Sequence, residues 1–87
     1  MIELHLEHTI IAFDGRVIEA FPQGQAASRY HVANVKTAGI KSDKKGRQSL
    51  QIFMEGGGGF ATAPLSPEAA EQAQMIVTEI QKARPDL

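Results

Sequence analysis

The feature that most constrains the fold is a helix signal near the end of the chain. Ser66 is a preferred N-cap residue, and Pro67 follows at the first helical position, where its missing N–H costs nothing. Pro85 marks the other end, because proline cannot continue a helix. Small and apolar residues recur at helical spacing between these marks: Ala69, Ala70, Ala73, Ile76, Val77, Ile80 and Ala83. The sequence therefore predicts an amphipathic helix over 67–83 that packs its apolar face onto another element.

The residues before the helix alternate with the two-residue period of half-buried strands. Ile2, Leu4 and Leu6 share one predicted face, for example. We predict strands at about 2–13, 16–21, 29–40, 47–55 and 60–63. The predicted class is α+β: one domain, 1–87, with a bent antiparallel sheet or partial barrel of about five strands, capped by the C-terminal helix.

Three connections carry recognisable turn chemistry. Asp14 and Gly15 predict a two-residue type I′ hairpin turn with Ile11 opposite Ile18. Val35 is out of step with the preceding apolar residues, which predicts a β-bulge near 33–34. The glycine run 56–59 predicts a flexible link into the last strand.

Composition narrows the functional classes. Lys plus Arg number 9 and Asp plus Glu number 10, so no global field attracts nucleic acid or an anionic membrane. The chain has no cysteine, which excludes disulfides and a thiolate zinc site and fits a reducing compartment. The alternating N-terminus resembles neither a signal peptide nor a transmembrane span. We expect a cytoplasmic protein.

The residues that could carry chemistry form no convincing set. His5 and His8 are three residues apart, so on a strand they point to opposite faces. The glycine run 56–59 lacks the Gly-Lys-Ser/Thr ending of a phosphate loop. We predict no catalytic residue, no metal and no cofactor, and keep as an alternative a small hydrolase or metal protein that uses His5, His8 and His31.

Two groups of residues are candidates for binding. The anion-binding candidates, for lipid headgroups or nucleic acid phosphates, are Lys36, Lys41, Lys44, Lys45 and Arg47. Asp43 interrupts this basic region, and an ordinary solvated turn would have the same composition. The partner-contact candidates are Phe53, Phe60 and Met75, of which Met75 lies on the polar side of the predicted helix.

The order of the elements resembles that of the pleckstrin-homology-like (PH-like) superfold, particularly the small bacterial PH-like domains. The likeness covers about residues 10–83 and includes the strand segment Arg-Tyr-His-Val-Ala-Asn-Val at 29–35, the basic hairpin and the closing helix. The resemblance implies seven strands and a C-terminal helix. The first hairpin here has no basic cluster of the kind that phosphoinositide-binding members carry.

These observations favour a non-enzymatic PH-like domain that acts as a protein-interaction or oligomerisation module. Unpaired sheet edges would be covered by a second copy, so a homodimer is one form of this hypothesis. The alternative from another class is anion binding through the basic hairpin at 41–47, on a membrane surface or nucleic acid.

Overall fold

The C-terminal helix lies where its sequence signals place it. The computed structural model describes residues 1–87, and α1 (Pro67–Ala83) begins with the Ser66 Oγ accepting a hydrogen bond from the N–H of Ala69 at 3.1 Å. This bond satisfies one of the N–H groups that a helix start leaves without a partner. The apolar stripe buries Ala73, Ile76, Val77 and Ile80.

Seven strands precede the helix and form two antiparallel sheets. Their bounds are β1 (Ile2–His5), β2 (Thr9–Phe13), β3 (Val17–Pro22), β4 (Ser28–His31), β5 (Val35–Ser42), β6 (Gln48–Met54) and β7 (Gly59–Ala61). Sheet A has the order β1-β2-β3-β4 and sheet B the order β5-β6-β7. The α+β class with antiparallel strands and one C-terminal helix is confirmed, and this order is consistent with a small PH-like arrangement.

The structure has seven strands where the sequence predicts about five, because two predicted strands are each divided. The segment 2–13 turns back on itself, with the N–H of Leu6 donating to the carbonyl of Thr9 at 2.8 Å. Leu6 continues the two-residue alternation of Ile2 and Leu4 into the turn. The sequence pattern alone therefore does not show where the first strand ends. The segment 29–40 is divided by the 3-10 helix Val32–Asn34, which leads the chain from sheet A to sheet B.

The step at Val35 and the first hairpin also differ from expectation. The 3-10 helix explains why Val35 is out of step with the apolar residues before it. The register shift in the pairing of β5 with β6 lies between Val35 and Thr37. In the first hairpin Phe13, not Ile11, pairs with Ile18. Of the two predicted turn residues only Gly15 has a positive φ, so the type I′ prediction is wrong.

Asp14 explains the turn that forms instead. Its Oδ1 accepts hydrogen bonds from the N–H groups of Arg16 and Val17, both at 2.8 Å. A carboxylate that binds the backbone two and three residues ahead makes an Asx turn, which competes with a two-residue hairpin loop.

The core lies between the inner faces of the two sheets and α1. The largest fully buried side chains are Leu4, Ile11, Ile18, Val35, Leu50, Ile52, Ile76 and Ile80. The helix packs against β1, β5 and β6. It therefore closes one side of the two-sheet unit and leaves the side near β4 and β7 open.

Candidate functional site

A groove of about 660 Å³ runs along this open side. One wall is the inner face of sheet A, including Ile11 and Tyr30, together with the β1–β2 turn. The other wall is the continuous segment 59–66, which contains β7 and leads into the helix. The size is within the range of ligand-binding clefts, roughly 300–1,000 Å³.

An aromatic pair joins the two sheets within the groove. The ring centroids of Tyr30 and Phe60 lie 5.9 Å apart with the planes tilted by 37°. Phe60 pairs with the buried Ile52 across β6 and β7, so its side chain lies on the inner face of sheet B. Both rings are half-buried, so each has one surface in the core and one in the groove.

Both sheets present an unpaired edge at this opening. β4 pairs only with β3, and β7 pairs only with β6. Hydrogen bonds from Met54 N–H to Gly58 C=O (3.2 Å) and from Thr62 N–H to Leu50 C=O (2.9 Å) fix the pairing pattern between β6 and β7. Hydrogen-bonded pairs alternate along an antiparallel ladder. The backbone N–H and C=O groups of Gly59 and Ala61 therefore point away from β6, at the free edge.

The hydroxyl groups in the groove wall already bind the backbone. The Thr62 Oγ1 accepts a hydrogen bond from the N–H of Leu50 at 3.0 Å, and the Ser66 Oγ caps α1. These side chains hold the wall in place. Other polar side chains line the groove without binding the backbone, among them Ser28 and Tyr30 on β4 and Glu7 and His8 in the β1–β2 turn.

The histidines do not converge. The His5 Nε2 lies 2.9 Å from a Glu3 carboxylate oxygen, and the His8 Nδ1 lies 3.2 Å from the Gln23 side-chain oxygen. The His31 Nδ1 accepts a hydrogen bond from Ala33 N–H at 3.1 Å, at the start of the 3-10 helix. His5 is on β1 and His31 on β4, at opposite edges of sheet A. No group of three or more His, Cys, Asp or Glu side chains is arranged to hold a metal ion.

The basic residues lie away from the groove. Lys41, Lys44, Lys45 and Arg47 surround the β5–β6 turn, whereas Lys36 lies near the other end of β5, about 16 Å along the strand. All five are exposed, and none of them lines the groove.

Asp43 makes the basic turn partly self-neutralising. It accepts hydrogen bonds from the N–H groups of Lys45 (2.8 Å) and Arg47 (2.9 Å), and from the Arg47 Nε (2.7 Å). The backbone N–H of Arg47, followed by its side chain, lowers the pKa of the Asp43 carboxyl. One of the four cations at this turn is therefore occupied in shaping the hairpin.

The partner-contact candidates do not share a surface. Phe53 is 41% exposed and pairs with Thr37 and Gly59 on the outer face of sheet B. Met75 is 56% exposed on α1, in a helix whose opposite stripe enters the core. Phe60 is the member of the three that lines the groove.

Sheet A also has an exposed apolar cross-strand pair that is not among the candidates predicted from the sequence. Ile10 and Phe21 are neighbours on β2 and β3, and both side chains are exposed. His5 pairs with Ile10 from the other side. The alternation of the sequence does indicate this pair. Ile10 and Phe21 each follow or precede a buried residue, Ile11 and Ala20, so their side chains lie on the opposite face of the sheet.

Arg84 has contacts that no sequence pattern indicates. Its Nη1 donates to the carbonyl oxygens of Val32 (3.0 Å), Ala33 (2.8 Å) and Val35 (3.0 Å). Its Nε and Nη2 bind both carboxylate oxygens of Asp86 at 2.9 and 2.6 Å. Hydrogen bonding with Asp86 raises the pKa of Arg84 and lowers the pKa of Asp86.

The chain is a small α+β protein with an open groove lined by both polar and apolar residues. Comparison with protein-family models, with curated proteins and with solved structures gives no match. No helix in the chain has the length and apolar character that a membrane crossing needs.

Proposed function

We propose that this chain is a non-enzymatic, PH-like protein-interaction module and that its binding surface is the groove between the two sheets. The arrangement of four strands, three strands and a C-terminal helix supports the PH-like assignment. The single observation that carries the function is the 660 Å³ groove, which combines an apolar floor with unpaired sheet edges.

The character of the groove favours binding over chemistry. Its hydroxyl groups on Thr62 and Ser66 hold backbone N–H groups, and its aromatic rings, Tyr30 and Phe60, pack on each other. Such a lining supplies contact area and backbone hydrogen bonds, which are the usual components of a protein-recognition site. The proposal includes the cytoplasm as the location, because a chain without cysteine suits a reducing compartment.

Peptides selected from a random display library against the whole chain test the proposal. The selected peptides are titrated into the ¹⁵N-labelled protein, and the backbone amide shifts are mapped. We expect the largest shifts in residues 59–66, in β4 and in the β1–β2 turn. Selected peptides that instead shift only the outer face of sheet A or the basic hairpin would contradict a binding site in the groove.

A matched pair of variants locates the site independently. Ser28 lies on β4 opposite the buried Ala20 and lines the groove, so Ser28→Arg places a long charged side chain there. Thr37→Arg makes a comparable change on the exposed outer side of sheet B. We expect Ser28→Arg to weaken peptide binding at least about tenfold, while Thr37→Arg leaves it unchanged. Equal affinities for both variants would exclude the groove.

A further inference from the structure

β7 (Gly59–Ala61), which forms part of the groove wall, has an unsatisfied outer edge. The outward N–H and C=O groups of Gly59 and Ala61 have no partner within the chain, because β6 uses the alternate positions. Exposed backbone groups of this kind are a template for another strand. We propose, on the basis of the proposed function, that the partner contributes an extended peptide. This peptide lies in the groove and pairs with β7 as an added strand.

The edge of β7 is only three residues long, but it lacks the charged residues and the register shift found at the edges of β4 and β5. The free side of β5 carries Lys36 near a register shift and Lys41 beside the turn. The exposed side chains of β4 are Arg29 and His31, and the His31 ring is bound to the N–H of Ala33. Charged residues, bulges and prolines at an edge discourage pairing with another chain. From Gly59 to Ala63 the chain has no charge and no proline, and Pro64 is the first residue that cannot donate.

The groove also specifies the side chains of the peptide. Successive side chains of a strand point to opposite faces, so every second residue of the peptide would face the groove floor. That floor contains Leu6, Ile11, Tyr30, Phe60 and Leu65. β7 itself has three residues, about 10 Å of extended chain. The expected ligand is therefore a short extended segment that pairs along β7 and carries apolar residues at alternate positions.

A single peptide fits this edge better than a second copy of the chain. β7 is one wall of a groove whose opposite wall is made by β4 and the β1–β2 turn. An isolated extended segment, from a chain terminus or a mobile loop of the partner, can lie between these walls without bringing a second set of walls with it.

A series of N-methylated peptides tests strand addition. Each backbone nitrogen of one selected peptide is methylated in turn, which removes one N–H donor and keeps the side chain. If the peptide pairs with β7, methylation should weaken binding about tenfold at alternate positions and have little effect at the positions between them. The positions between them are the internal control.

The possible results separate the two proposals. Peptides that bind in the groove with no two-residue period in the methylation series would overturn strand addition and leave the interaction module standing. Failure of every selected peptide to shift groove residues would overturn both. Light scattering that finds a dimer, which selected peptides convert to monomer, would assign the groove to a second copy and overturn the peptide as its occupant.

Discussion

At the scale of single residues, Arg84 shows how one side chain joins distant parts of the chain. It lies immediately after α1, yet its guanidinium group binds three carbonyl oxygens in the segment 32–35, which connects the two sheets. Asp86 holds the guanidinium from the other side through two hydrogen bonds. A planar group with five donors can serve both partners at once. Arg84 therefore fixes the helix end to the crossover between the sheets.

We expect Arg84→Ala to lower the melting temperature by several degrees, because three carbonyl oxygens lose their donor and the helix end loses its attachment. Lys82→Ala is the matched control, since Lys82 makes only an exposed ion pair with Glu79 at 3.2 Å. Circular dichroism melts at neutral pH compare the two. A loss for Arg84→Ala no greater than that for Lys82→Ala would show that these contacts contribute little.

At the scale of elements, the glycines of the run 56–59 differ in how much space surrounds them. Gly57 and Gly59 both have a positive φ, +105° and +113°. A Cβ on Gly57 would meet no atom within 4 Å, whereas a Cβ on Gly59 would lie 2.2 Å from the backbone oxygen of Ile52. The glycine at 59 therefore allows β7 to approach β6, and the glycine at 57 serves only the turn.

This difference predicts two unequal substitutions. Gly57→Ala should destabilise the fold by about 1–2 kcal/mol, the cost of an unfavourable φ for a residue with a Cβ. Gly59→Ala should cost about 3–4 kcal/mol, because the backbone of β7 must also move away from β6. Urea unfolding of both variants measures the difference. Equal losses would mean that β7 can shift without cost.

The elements that were predictable from sequence are those defined by local chemistry. Ser66 and Pro67 mark the helix start through bonds within one turn, so the bounds of α1 agree with prediction. Leu6 continues the alternation into the chain reversal. For that reason the sequence predicts one strand where the structure has two. The β-turn at Asp14 was placed correctly, but its type depended on a side chain accepting two backbone hydrogen bonds.

The groove depends on tertiary contacts that no local pattern contains. Tyr30 and Phe60 are thirty positions apart in the sequence and meet only after two sheets have formed. Phe60 is a predicted partner-contact residue, and its position opposite Ile52 places its side chain on the inner face of sheet B, where it lines the groove. Residue type alone does not give that position, because the face on which a strand residue lies depends on register. Register follows from the turns, which were the least predictable part of the chain.

At the scale of the whole molecule, three aspartates stabilise separate connections through their charged form. Asp14 holds the β2–β3 turn, Asp43 the β5–β6 turn, and Asp86 the guanidinium group that attaches the helix end. Hydrogen bonds to each carboxylate lower its pKa from the ordinary value of 3.8. A carboxylate whose pKa is lower in the folded than in the unfolded chain stabilises the fold above the unfolded pKa, and this contribution is lost as the pH falls toward the folded pKa.

The protein should therefore lose stability at acid pH in a way that depends on these three groups. We expect a nearly constant melting temperature from neutral pH to about pH 5 and a decrease below about pH 4, where the carboxylates become largely protonated in the unfolded chain. Asp14→Asn together with Asp43→Asn should make this decrease shallower, because the asparagine oxygen keeps an acceptor for the turn N–H groups but does not titrate.

Glu71→Gln is the control, since Glu71 is exposed and makes no ion pair or side-chain hydrogen bond, and it should leave the slope as it is in the unmodified chain. Melts of the three proteins between pH 7 and about pH 2.5 measure the slopes. If the double variant keeps the full acid decrease, the turns do not depend on the charge of their aspartates, and the acid sensitivity of the fold arises elsewhere.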